Sequence, residues 1–201
     1  MNSMSTSYTL GKEGEVLKKI IIWIAIIATF LTGFLIYNHK QSPAKDDVFK
    51  ITKKWSPATD EVYLVREIDG EWLTIFRNNH SIMIAKLEQN WLGYWKIKDD
   101  LGNESTLDSI YYPPSQVEGF NWSASSKGKN ISYYFGQNTN PNIKRVEVET
   151  QENFFEDALI ISLEDARFFF AKSSVELVMP VNIRGFSDTG KLIYSTVKDD
   201  L

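Results

Sequence analysis

Residues 62–77 read VYLVREI-DG-EWLTIFR. Two runs rich in β-branched and aromatic side chains flank Asp69-Gly70. An Asp-Gly pair in that setting favours a two-residue hairpin, because the turn that matches strand twist needs positive φ at its centre. The same style continues outward. Ser81 to Leu87 reads as a third strand and Asn90 to Lys98 as a fourth, with Trp91, Gly93, Trp95 and Ile97 on one face. Asp99 to Asn103 reads as a turn, and Leu107 to Gly119, with Pro113-Pro114, as a loop. Gly119 to Ser125 and Asn130 to Phe135 flank a second hairpin candidate. Ile143 to Thr150 alternates, with Val146 and Val148 inward and Arg145, Glu147 and Glu149 outward. Ala158 to Leu163, Ala166 to Ala171, Val175 to Gly185 (interrupted by Pro180) and Lys191 to Ser195 complete the series. Beyond residue 40 a helical period shows only weakly, around Gln151 to Asp157. About ten short strands with regular turns predict an all-β sandwich or barrel, or two small β lobes divided near 113–120.

Ahead of this region lies IIIWIAIIATFLTGFLIY, Ile20 to Tyr37, without a single charge. As a helix, these 18 residues cover about 27 Å, close to the thickness of a bilayer's hydrocarbon core. Lys18 and Lys19 bound the run on one side, and Asn38, His39 and Lys40 on the other. Trp23 and Tyr37 stand near its ends, where amphipathic rings prefer headgroups. The alternatives are a buried core helix and a signal peptide cleaved after Ser42-Pro43-Ala44; Lys40 and Pro43 are poor neighbours for such cleavage. The expected layout is a short cytoplasmic tail over 1–19, read as disordered, a transmembrane helix over 20–37, a stalk over 38–47 and a β domain over 48–201. Lys12, Lys18 and Lys19 before the helix, against Lys40, Lys45 and then Asp46 and Asp47 after it, place the β domain outside the cytoplasm.

Composition narrows the chemistry. Over 201 residues the formal net charge is -4, and removing residues 1–37 takes away three Lys and two Glu, leaving -5. An acidic domain lacks the basic face that neutralises phosphates, so a nucleic-acid partner is not expected. With Cys 0 there is no disulfide, thiol nucleophile or Cys-based zinc site. A Cys-free outer domain suits a bacterial envelope. The sequons at Asn103, Asn121 and Asn130 carry no weight in a chain rich in Ser and Asn.

The stretch Asn140-Pro141-Asn142-Ile143-Lys144-Arg145-Val146-Glu147-Val148, then Arg167-Phe168-Phe169-Phe170, then Val181 to Tyr194 resembles the C-terminal part of small Bacillus-type extracytoplasmic proteins. The resemblance covers roughly the last seventy residues and rests on loose β-patterns. It implies location and fold, and carries no functional residue across.

Four groups of residues invite a functional reading. Trp72, Trp91, Trp95, Trp122, Tyr94, Tyr133 and Tyr134 would suit a stacking platform for wall sugars, or simply fill a β core. Asp99, Asp100, Glu104 and Asp108 cluster in sequence, but their spacing is not that of an EF-hand, and a turn accounts for Asp99, Asp100, Gly102 and Asn103. His80 sits in an inter-strand loop with no nucleophile elbow in the chain. Lys53-Lys54 and Lys127-Gly128-Lys129 are solvated pairs or mildly attract anionic lipid or wall polymer. No catalytic residue, cofactor or metal ligand is assigned. The expectation is a single-pass cell-membrane protein, held in the bilayer by Ile20 to Tyr37, that binds an envelope protein, peptide or wall polymer without chemistry. The alternatives are an envelope hydrolase of wall glycan or peptide, and a signalling partner acting through helix pairing at Thr29, Thr32 and Gly33.

Overall fold

The computed structural model describes residues 6–114, 119–128 and 130–197, with side chains from residue 15 onward. The chain forms one N-terminal helix followed by antiparallel β-sheets, an all-β region plus a helix. It divides into two units, one of residues 1–42 with 89–94, the other of 43–88 with 95–201.

The first unit is built on α1 (Thr6–His39). The helix starts at Thr6, well before the apolar run, so the described part of the expected disordered tail is helical. The stretch Glu15–His39 is apolar and long enough to cross a membrane, and none of its most apolar window is buried. Its two threonine hydroxyls turn back on the backbone: Thr29 Oγ1 donates to the Ala25 carbonyl at 2.9 Å and Thr32 Oγ1 to that of Ala28 at 2.8 Å. Both threonine hydroxyls thus find acceptors within the helix itself.

The second unit stacks four layers. A short helix, α2 (Lys45–Thr52), comes first, overlapping the end of the expected stalk and running into the start of the expected β domain, in a segment whose helical period is too short to read. Next is a sheet of β1 (Glu61–Ile68), β2 (Glu71–Arg77), β3 (Ser81–Gln89) and β4 (Trp95–Lys98), with β5 (Asp108–Tyr111) also paired to β3. Then comes the sheet of β6 (Phe120–Lys127), β7 (Ile131–Asn138), β10 (Leu159–Ser162) and β11 (Arg167–Ser173), ordered β10-β11-β7-β6. The last holds β8 (Arg145–Gln151), β9 (Phe154–Asp157), β12 (Ile183–Phe186) and β13 (Leu192–Ser195), ordered β13-β12-β8-β9.

Alternation along the strands sorts side chains into three cores. Phe76, Met83, Ala85 and Leu87 of the first sheet pack toward Val48 of α2. The opposite face, Leu73, Ile75, Ile82 and Ile84, meets Tyr133, Phe135, Phe168 and Phe170 of the middle sheet. That sheet's other face presents Phe120, Tyr134 and Phe169 to Val146, Val148 and Ile183. The central core joins residues on both sides of 113–120, so this segment does not divide the packing.

Asp69 (φ 51) and Gly70 (φ 81) form the expected hairpin turn, both on positive φ. In β1 the register slips between Val62 and Leu64. The extra residue reverses the strand's faces, so Val62 enters the α2-side core and Leu64 the central one. Four segments depart from the reading by period. Residues 90–94 leave the fourth strand, where Gly93 takes φ +81. Asp108–Tyr111 is a strand inside the expected loop, paired to β3 from Ser81↔Tyr111 to Ile84↔Asp108. Of Val175 to Gly185 only the end, from Ile183, is strand, and Gln151 to Asp157 is a β-hairpin instead of a helix.

Gly136 marks the tightest approach in the middle sheet. A Cβ there would overlap the Phe169 ring and sit 2.7 Å from the Asn121 carbonyl oxygen. Gly136→Ala should therefore lower unfolding stability by about 1–3 kcal/mol. Gly190→Ala, in an open turn at φ +82, should cost only about 1 kcal/mol from backbone strain. Urea unfolding of the two variants in detergent, followed by intrinsic tryptophan emission, measures the difference.

Candidate functional site

A set of interlocked ionisable groups lies along the edge of the central core. Asp100, in the turn after β4, has a side chain only 9% exposed. Its Oδ1 is 2.9 Å from Lys86 Nζ and its Oδ2 is 2.8 Å from Lys172 Nζ. The Tyr133 hydroxyl donates to the same Oδ2. Lys86 also meets Glu88 at 2.8 Å and Glu71 at 3.7 Å, and Lys172 meets Glu71 at 3.4 Å. Carboxylates and ammoniums from β2, β3 and the following turn thus interlock with β7 and β11.

The protonation states follow from these contacts. Burial alone would raise the Asp100 carboxyl, but hydrogen bonds from Lys172, Tyr133 and Lys86 outweigh it and hold the group down at about 2. Burial would likewise lower Lys86; its bonds to Glu88 and Asp100 raise it instead. Tyr133 is pushed up by burial and by the adjacent Asp100 charge. Asp100, Lys86 and Tyr133 are all shifted away from the neutral range. A proton shuttle needs a group poised near the working pH, so this cluster reads as a clamp between two sheets.

The other carboxylates that adjoin it in sequence part company in space. Asp99 accepts from the Leu101 and Asn103 amides at 2.9 and 2.8 Å and from the Ser105 hydroxyl at 2.8 Å, bonds that together lower its carboxyl against the opposing effect of burial. Glu104 pairs with Lys96 at 2.9 Å. Asp108 is buried; its Oδ1 accepts from the Ser109 amide and the Ser123 hydroxyl, while Oδ2 is enclosed without a partner. Burial pushes the Asp108 carboxyl up to about 6. Among the described residues, no three His, Cys, Asp or Glu side chains gather to hold a metal ion.

The aromatic residues also separate. Tyr133 and Tyr134 are fully buried, and Trp72 and Trp95 meet edge to face at 6.1 Å, partly covered by α2-side packing. Trp122 lines the third core. Only Trp91 and Tyr94 of the seven are exposed. His80 is exposed in the β2–β3 turn, where its amide donates to Asn78 Oδ1. Lys53 and Lys54 are exposed after α2; Lys127 ends β6, and Lys129 lies outside the described residues.

A shallow cleft of about 620 Å³ was not foreseen from the sequence. Residues 137–141, at the end of β7 and just after it, form one wall, and residues 162–167, around the β10–β11 turn, form the other. Gln137, Asn138, Thr139 and Asn140 supply amides and a hydroxyl, and Glu164, Asp165 and Arg167 supply charge. Gln137 Oε1 and Thr139 Oγ1 are buried beside it without a protein partner. The Asn-rich run 138–142 was the available signal, but its side chains also build the turn: Asn140 Oδ1 accepts from the Asn142 amide at 3.0 Å. Comparison with protein-family models, curated proteins and solved structures gives no match.

Two substitutions separate the carboxylates. Asp100→Asn leaves two ammoniums facing a neutral amide and should cost about 2–3 kcal/mol, less than a wholly buried pair because Lys172 meets solvent. The lowered carboxyl of Asp100 stabilises the fold above an unfolded value near 4, and that contribution disappears as pH falls toward about 2. The variant should therefore lose this acid-sensitive limb in urea titrations across pH 2–5. Asp108 has the opposite sign. Its raised carboxyl favours the fold below about pH 4, and the advantage is lost as pH rises through about 6. Asp108→Asn should thus gain about 1–3 kcal/mol on the parent between pH 4 and pH 7.

Proposed function

We propose that this chain is a single-pass cell-membrane protein whose β unit stands outside the cytoplasm and binds an envelope protein, peptide or wall polymer without chemistry. The helix Glu15–His39 carries the reading: its apolar window has no buried residue, and an aqueous helix of that composition would expose a continuous greasy surface. Lys18 and Lys19 at one end favour retention of that end in the cytosol. Exposed Trp23 and Tyr37 suit the two headgroup zones. The loose likeness to Bacillus-type extracytoplasmic proteins agrees with that orientation.

Recognition without turnover is favoured by how the carboxylates are held. Asp99 and Asp100 are each engaged by several donors within the protein, which leaves them fixed instead of available as an acid and base pair. The cleft beside residues 137–141 offers amide, hydroxyl and carboxylate groups of the kind that hydrogen-bond sugar hydroxyls and peptide amides.

The test uses the full chain in a Gram-positive host. The protein should stay with the membrane through alkaline carbonate extraction. Protease added to cells stripped of wall should digest the β unit and spare an epitope placed before Thr6. Recovery in the soluble fraction, or a β unit protected until the cells are lysed, overturns the proposal.

A further inference from the structure

The first unit contains a second segment, Gln89 to Tyr94, which is uncharged: Gln-Asn-Trp-Leu-Gly-Tyr. It closes on itself as a tight turn. The Asn90 amide donates to the Tyr94 carbonyl at 2.9 Å, the Gly93 amide to that of Asn90 at 2.8 Å, and Asn90 Oδ1 accepts from the Leu92 and Tyr94 amides. This turn is fastened to α1 at one place. Asn38 Nδ2 donates to the Leu92 carbonyl at 3.1 Å, and Gln89 Nε2 donates to the Asn38 carbonyl at 3.0 Å. A Cβ on Gly93 would lie 2.6 Å from Asn38 Cβ, so the glycine permits an approach no other residue allows.

Asn38 is the first residue after the apolar run. In a spanning helix that position marks the passage from hydrocarbon to headgroups. The turn fastened there displays Trp91, 78% exposed, and Tyr94, 53% exposed, beside Tyr37 of the helix at 64%. Trp and Tyr concentrate at this depth because their rings tolerate the acyl boundary while Nε1–H and O–H reach water and headgroups.

We infer that the Gln89–Tyr94 turn is a membrane-contact loop, whose Trp91 and Tyr94 insert into the headgroup layer of the bilayer that α1 spans. The inference rests on the transmembrane reading of α1 and adds a second point of lipid contact far away in sequence. The turn's internal bonds fix the peptide before lipid arrives, so little ordering cost accompanies insertion.

The absence of Cys allows clean single-site labelling. The full chain would be reconstituted in vesicles of phosphatidylethanolamine and phosphatidylglycerol, with a nitroxide on Phe30→Cys or on Tyr94→Cys. Relaxation by oxygen reports lipid and relaxation by a nickel chelate reports water. The Phe30→Cys label should be shielded from nickel throughout. The Tyr94→Cys label should show nickel access several-fold below that of free label in buffer, and adding Trp91→Ser should restore much of it. Phe30→Cys shielded with Tyr94→Cys as open to nickel as free label overturns the loop and leaves the anchor standing. Both labels open to nickel overturns the anchor and, with it, the loop. Because Trp91 is exposed, Trp91→Ser leaves the packing intact, which unchanged urea unfolding confirms.

Discussion

The pairing of β7 with β11 in the middle sheet is the constraint on which the β unit depends. Phe168 lies opposite Gln137, Phe169 opposite Gly136 and Phe170 opposite Phe135. Side chains leave both faces of this pair into apolar surroundings, toward the first sheet on one side and the last sheet on the other. A register slip by one residue would exchange the two faces, moving Phe169 out of the space that Gly136 leaves for it. The two outer sheets are thereby placed by the one they share. Layers stacked this way let a modest chain bury several aromatic rings without a helix in its centre.

Polar groups reinforce that arrangement at its margins. The Asp100 cluster joins the first sheet to the middle one where the apolar core thins, and Ser123 and Ser125 reach from β6 to Asp108 and the Leu107 carbonyl. These contacts differ in kind. Asp100 is saturated with donors and stays charged, whereas Asp108 keeps one enclosed oxygen without a partner and resists ionisation. Two acidic residues in neighbouring sequence thus acquire opposite electrostatic character from burial and partners alone.

Local chemistry made the hairpins and the apolar helix legible in the sequence. Asp69-Gly70 announces its turn because few other pairs accept positive φ at both positions, and 18 uncharged residues have few uses outside lipid. What escaped depended on contacts remote in the chain. Ile82 to Ala85 and Phe168 to Phe170 show no alternation because both faces are covered, so period could not assign their sides. The bulge at Tyr63 has no composition signal. The β5 strand is only four residues and acquires its identity from β3. Of the site, the sequence could name its aromatics and carboxylates but not sort them. Trp91 and Trp95 would share a face on an unbroken strand; the left-handed Gly93 between them separates an exposed ring from a half-buried one.

The inward-turned hydroxyls of α1 carry a consequence for any lateral association. Thr29 and Thr32 already donate to carbonyls one turn back, so neither proton is free to bridge to a neighbouring rod. At this face, cohesion between two such rods would rest on shape, with the bare backbone at Gly33 admitting a close crossing and dispersion supplying the attraction. Such a contact tolerates sliding and rotation more readily than one pinned by polar bridges.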